Sequence, residues 1–196
     1  MLTLREGSAL VKLARGSIQD YLENKETFLP KEKAFQAKRG VFVTLHEKGR
    51  LRGCIGIPYP RLPLGEAIAH AAKAAAFSDP RFHPLCKEEL DKLEVEVSVL
   101  TEPREICIKN ESDIKNIKPG RDGIIIYYGG CSGLLLPQVA TEYHMNTKQF
   151  LEATCQKAGL ARDAWKVKGC KILTFQAQIF SETKKGKIKQ KLTCQK

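Results

Sequence analysis

Apolar residues recur at helical spacing near the N-terminus, with Leu10, Ala14, Ile18, Tyr21 and Leu22 on one stripe, and predict an amphipathic helix over roughly residues 5–24. After a polar connection ending near Gly40 the period shortens to two. Residues 41–45 and 51–57 flank Glu47-Lys48-Gly49, the composition of two strands joined by a tight turn. Pro58, Pro60 and Pro63 then stop the second strand, because proline has no ladder donor. Residues 64 to about 77 are alanine-rich and read as a helix whose small side chains permit close packing. Pro80 and Pro84 bracket an ordered loop over 78–85, followed by a short helix around 87–92.

Val95, Val97 and Val99 alternate with Glu96 and Ser98, which predicts a half-buried strand over 94–100. A turn at 119–123 leads into a strand at 124–128, and Gly129-Gly130-Cys131-Ser132-Gly133 turns again into Leu134-Leu135-Leu136, a second hairpin. Asn146 or Thr147 caps a helix running through Phe150, Leu151, Thr154 and Cys155 to Ala158, with Gly159 at the left-handed position after it. Ile172, Thr174, Gln176 and Gln178 alternate with Leu173, Phe175, Ala177 and Ile179 in a last strand. Helices and strands mix without a βαβ repeat. The expected class is therefore α+β, a mostly antiparallel sheet flanked by helices.

The length of 196 residues allows one domain, placed at 1–182, or two lobes sharing a sheet, with a basic tail at 183–196. The 42% hydrophobic and 28% charged residues mark a globular chain, and no run approaches the roughly 18–20 apolar residues of a membrane span, so no membrane partner is expected. The first residues, Met1 to Glu6, lack the marks of a secretion or transit signal, which predicts a cytoplasmic protein. Seven cysteines with no close pairs fit reduced thiols in a reducing compartment, with neither a structural metal nor a cofactor expected. The formal charge of +11 raises the question of nucleic acid, but over half of it lies in 183–196, which holds six lysines, no acid and no aromatic residue. Weak, non-specific contact with nucleic acid is the most that run implies.

Candidate chemistry centres on residues 51–56. If 51–57 is a strand, period two puts Arg52, Cys54 and Gly56 on one face and Leu51, Gly53, Ile55 and Ile57 on the other. A guanidinium beside a thiol favours the thiolate, the form that acts as a nucleophile, so Arg52 is placed to activate Cys54. Gly53 and Gly56 leave room for a ligand or another backbone segment. The plainer reading is a buried cysteine in a strand with a bulge. Asp79, Arg81 and His83 stand on the restricted loop that follows, where His83 is a candidate base for Cys54, with Asp79 or Glu96 to orient it. The alternative there is a loop braced by Asp79 with Arg81 paired to an acid. Glu96, opposite the three valines, is a candidate inward carboxylate and a candidate acid or base.

Leu51-Arg52-Gly53-Cys54-Ile55-Gly56, which contains RGCIG, resembles the hallmark motif of the AMMECR family (AMME-syndrome candidate-region proteins). Four further segments match that family in order: Ala74-Ala75-Ala76-Phe77-Ser78-Asp79-Pro80-Arg81-Phe82, Val97-Ser98-Val99-Leu100, Leu135-Leu136-Pro137-Gln138-Val139-Ala140 and Lys157-Ala158-Gly159-Leu160. The resemblance spans about residues 5–182 and is that of a prokaryotic or archaeal single-domain member. It implies an α+β fold in two unequal lobes around an antiparallel sheet, with the cysteine motif lining a groove between lobes, and it implies no activity. Arg52, Gly53, Cys54, Gly56, Asp79, Arg81 and Phe82 match the family's pattern. His83 departs from it, since proline is common there, so a Cys54–His83 dyad is not a family mechanism. The family's association with Memo-like and radical-SAM proteins implies a shared pathway or complex.

Three functions follow. The first is a binding module in which Arg52, Gly53, Gly56, Asp79 and Arg81 receive a partner protein or a small anionic ligand. The second is an enzyme with Cys54 as nucleophile and Glu96 as acid or base. The third is a nucleic-acid-associated factor held by the basic tail.

Overall fold

The computed structural model describes residues 1–108, 111–183 and 187–191. In chain order the elements are α1 (Leu4–Leu22), α2 (Lys33–Gln36), β1 (Val41–Glu47), β2 (Arg50–Ile57), α3 (Leu64–Phe77), β3 (Leu93–Leu100), β4 (Arg104–Ile106), β5 (Asp122–Tyr128), β6 (Cys131–Leu135), α4 (Pro137–Glu142), α5 (Thr147–Lys157), β7 (Lys171–Glu182) and β8 (Ile188–Lys191). They make an α+β fold of two unequal units: Met1–Leu100 with the chain returning at Gln178, and Thr101–Ala177. Every strand pairing registered residue by residue is antiparallel.

In the first unit the sheet runs β2-β1-β3-β7-β8. One face carries Val41, Val43, Leu45, Val95, Val97 and Val99, all buried against Leu10, Ala14 and Ile18 of α1 and the alanines of α3. Each fully buried Val, Leu or Ile contributes about 1.5–3 kcal/mol over its exposed state, which makes this face the main source of the unit's stability. Thr3 and Glu6 start α1 with a capping box, the Thr3 N–H donating to Glu6 Oε2 at 2.7 Å and the Glu6 N–H to Thr3 Oγ1 at 3.3 Å. Lys48 (φ 51°) and Gly49 (φ 77°) close the β1–β2 hairpin with two left-handed residues, the arrangement that matches strand twist.

The short helix expected at 87–92 is a 3₁₀ turn over Lys87–Lys92. Part of the basic run, Ile188–Lys191, belongs to the fold. Beyond Thr183, whose N–H donates to the carbonyl of Lys187, Ile188–Lys191 pairs with β7 as β8, and Ile188 packs on the core. Lys184, Lys185 and Lys196 lie outside the described residues.

In the second unit β7 lies between β5 and β4, with β6 beyond β5. Ile124, Ile126 and Ile172 pack on Phe150, Leu151 and Cys155 of α5 and on Trp165. The turn after β5 is tighter than its composition indicates: Gly129 (φ 57°) and Gly130 (φ 83°) make it alone, and Cys131 already belongs to β6. The leucine run ends where Pro137 opens α4, an element the sequence pattern missed. Among the described residues no helix is long and apolar enough to cross a membrane.

Candidate functional site

The site grows from the β1–β2 register. Glu47 faces Arg50 and His46 faces Leu51, but Leu45 faces Gly53 and Thr44 faces Cys54, so Arg52 is an extra residue, a β-bulge. The bulge breaks the predicted alternation, and Leu51 turns out to be exposed opposite His46. It also re-aims Arg52. The guanidinium forms a fork with Glu89, Nε to Oε1 at 2.7 Å and Nη2 to Oε2 at 3.0 Å, and Nη2 also donates to the carbonyl of His83 at 3.0 Å. Its Nη1 is buried and has no acceptor among the described residues.

Beyond the bulge, Cys54, Thr44 and Glu96 stand side by side across three strands. Thr44 and Glu96 are buried, and the Thr44 hydroxyl donates to Cys54 Sγ at 3.3 Å. The half-buried thiol is pushed above its ordinary value, first by desolvation. The Thr44 hydrogen bond and the Arg81 charge pull it down, while Asp79 and Glu96 push it further up. Neither Arg52 nor His83 is among the main causes of that shift. Glu96 thus sits in the thiol's row but opposes its ionisation.

The loop after α3 locks the main chain at Cys54. Asp79, only 4% exposed, accepts from the Cys54 N–H at 2.8 Å, and from Arg81 N at 3.1 Å, Nε at 2.9 Å and Nη2 at 2.7 Å. Arg81 Nη2 reaches on to the Cys54 carbonyl at 3.2 Å. These donors, Arg81's side chain foremost, hold Asp79 well below the usual carboxylate range. Glu89 is held at about 2, mainly by the Arg52 fork. The Arg52 and Arg81 guanidiniums lie 5.9 and 5.5 Å from the centre of the Phe82 ring.

The two glycines serve packing. A Cβ on Gly53 would lie 2.1 Å from the Ala75 carbonyl oxygen of α3, so this is the close backbone approach the sequence allowed for. At Gly56 the space is filled by the Phe42 ring, which a Cβ would meet at 2.4 Å, leaving it to no ligand. The residues sequence reasoning missed are Thr44 and Glu89. Cys86-x-x-Glu89 has the spacing of a helix-start box, and Glu89 Oε2 does accept from the Cys86 N–H at 3.0 Å, but nothing in that spacing points to Arg52. Among the described residues no group of three or more His, Cys, Asp or Glu is arranged to hold a metal ion.

The fold and site define an α+β protein with a cysteine-bearing edge strand locked by a carboxylate–guanidinium pair from the loop that follows its neighbouring helix. The chain belongs to the AMMECR1 family, whose model matches residues 11–180. It is 48% identical to protein Ta0236 of Thermoplasma acidophilum over 184 residues, 92% of this chain and 89% of that one. It is 46% identical to protein MJ0810 of Methanocaldococcus jannaschii over 196 residues, 97% and 98% of the two chains. The crystal structure of the uncharacterized protein PH0010 from Pyrococcus horikoshii superposes with a TM-score of 0.90 at 47% identity, covering 94% of this chain and 96% of that one.

Proposed function

We propose that the protein is a binding module that takes a carboxylate or phosphate oxygen, carried by a partner protein or by a small anionic ligand, at Arg52, Arg81 and Phe82. The observation that carries this reading is Arg52 Nη1, a buried donor of a charged group with no acceptor among the described residues. Leaving such a donor unsatisfied costs about 1–3 kcal/mol or more, which a ligand oxygen recovers once it opens the closed surface over that atom. Arg81 likewise commits Nε and Nη2 and leaves Nη1 without a partner among the described residues, on a side chain that is half exposed. Arginine and aromatic side chains are also the groups that dominate binding hot spots. Glu89 and Asp79 neutralise the two guanidiniums, so recognition rests on directed N–H donors rather than on net charge. The nucleophile reading has less support, because burial pushes the Cys54 thiol up, away from the thiolate form.

Calorimetric titration with inorganic phosphate and with citrate tests the small-ligand arm. Titration with purified Memo-like and radical-SAM proteins tests the partner arm. Arg81→Gln and Phe82→Leu should each weaken whichever ligand binds at least tenfold, and binding should change little with salt. Binding that falls steeply with salt and ignores both substitutions would transfer the function to the lysine run. Silence in both arms ends the proposal.

A further inference from the structure

In the unit Thr101–Ala177 the core-facing side of the sheet changes character along β7. Ile172 packs into the core. Two residues on, Thr174 stands opposite Arg104 of β4 and Ile124 of β5, and two further on Gln176 stands opposite Asp122. This polar end borders a cavity of about 360 Å³ that shares no residue with the Cys54 site. Its volume is at the small end of the roughly 300–1,000 Å³ typical of ligand sites.

A buried acid organises the cavity wall. Asp122, 4% exposed, accepts from the Lys118 N–H at 2.8 Å, from Arg121 Nε at 2.9 Å and Nη2 at 2.7 Å, and from Gln176 Nε2 at 3.3 Å. Four donors use up its acceptor capacity, and Arg121 cancels its charge. The charged groups left on the lining are Arg104 and Glu102. Neither forms an ion pair or side-chain hydrogen bond with any described residue, and they do not pair with each other although two positions apart. The Asn116 amide, on the same wall, also has no partner among the described residues.

We propose that this cavity binds a small zwitterion, an α-amino acid or a metabolite built like one. Arg104 and the Asn116 amide take its carboxylate, and Glu102 takes its ammonium group. A plain anion would leave Glu102 facing it, and a plain cation would leave Arg104 facing it. Only a ligand carrying both charges answers both groups, while Thr174 and Gln176 present polar surface to the rest of it.

The test is a thermal-shift and calorimetric screen of the full chain against each of the twenty common amino acids at millimolar concentration. Acetate and ethylammonium serve as single-charge controls. At least one amino acid is expected to raise the melting temperature and to bind, with both controls silent. Arg104→Gln and Glu102→Gln, at exposed positions, should each lower that affinity about tenfold or more, the loss of one charge-assisted contact. The unliganded melting temperature should not move, and Arg81→Gln should leave binding intact. Acetate binding as well as any amino acid, or affinity indifferent to Glu102→Gln, overturns the zwitterion, and no binding across the screen overturns the site.

Discussion

The main-chain N–H of Cys54 donates to Asp79 Oδ2, and the carbonyl of Cys54 accepts from Arg81, the residue ion-paired with that same Asp79. β2 is the outermost strand of its sheet, so both groups would otherwise be open to another chain. A carboxylate and a guanidinium two residues apart fill with side chains the place of a neighbouring strand.

Removing the acid should be costly. Asp79→Ala leaves the Cys54 N–H unsatisfied and frees a half-exposed Arg81, a loss of about 1–3 kcal/mol from the orphaned main-chain donor. Urea unfolding measures it, and Asp79→Asn, which keeps an acceptor, should lose less. Light scattering should also register self-association through the opened edge. A loss below about 1 kcal/mol would show that the lock is ornamental to stability.

Two neighbouring glycines should respond unequally to alanine. Gly53→Ala drives a methyl group into the Ala75 carbonyl, where a helix backbone must move, and should cost more than about 3 kcal/mol. Gly56→Ala meets only the Phe42 ring, which can rotate away, and should cost about 1–3 kcal/mol. Equal midpoints in a denaturant series would contradict this packing.

Cys54 should alkylate slowly at neutral pH, behind the exposed Cys131, with its rate climbing only above the ordinary thiol range. Arg81→Gln should push the apparent pKa further up, since that charge lowers it, whereas Arg52→Ala should leave it in place. Peptide mass spectrometry across a pH series separates these. A thiol that reacts early, and slows when Arg52 is removed, would restore the nucleophile.

Acid should loosen the site in a defined window. Glu89 has a folded-state value of about 2 against an ordinary 4.5, so its stabilisation is fully present above about 4.5 and lost as pH falls toward 2. Asp79, also lowered, steepens the same limb. Glu89→Gln should flatten stability against pH between those values and leave the neutral-to-alkaline side unchanged in slope, as followed by melting temperature.

The elements that carry the site were legible because their signals are local. Alanine spacing gave α3, the valine alternation gave β3, and the proline-bracketed loop put Asp79 and Arg81 after the helix. What composition could not supply was register. Counting back evenly from the Lys48-Gly49 turn pairs Thr44 with Gly53. The bulge at Arg52 moves every later pair by one, so that Thr44 meets Cys54, and turns Arg52 away from the thiol. Alternation assumes an unbroken period of two, and a single extra residue defeats it. Glu89 was invisible for a different reason: its partner is 37 positions away, and no short motif encodes that separation. β8 was hidden by its lysines, which read as solvated chain although Ile188 between them reaches the core.

The division of the chain sets a constraint on birth order. The unit Thr101–Ala177 is inserted into the other, whose last strands arrive only from Gln178. Those late residues include Phe180, fully buried where Gly7 of α1 has no side chain, and Glu182, clamped by Arg15. A nascent chain leaving the ribosome therefore exposes α1 and the edge of β3 unfinished while the whole insertion is translated. The half that begins first closes last, and a ribosome stalled within the insertion would present a sticky half-sheet to chaperones rather than a folded domain.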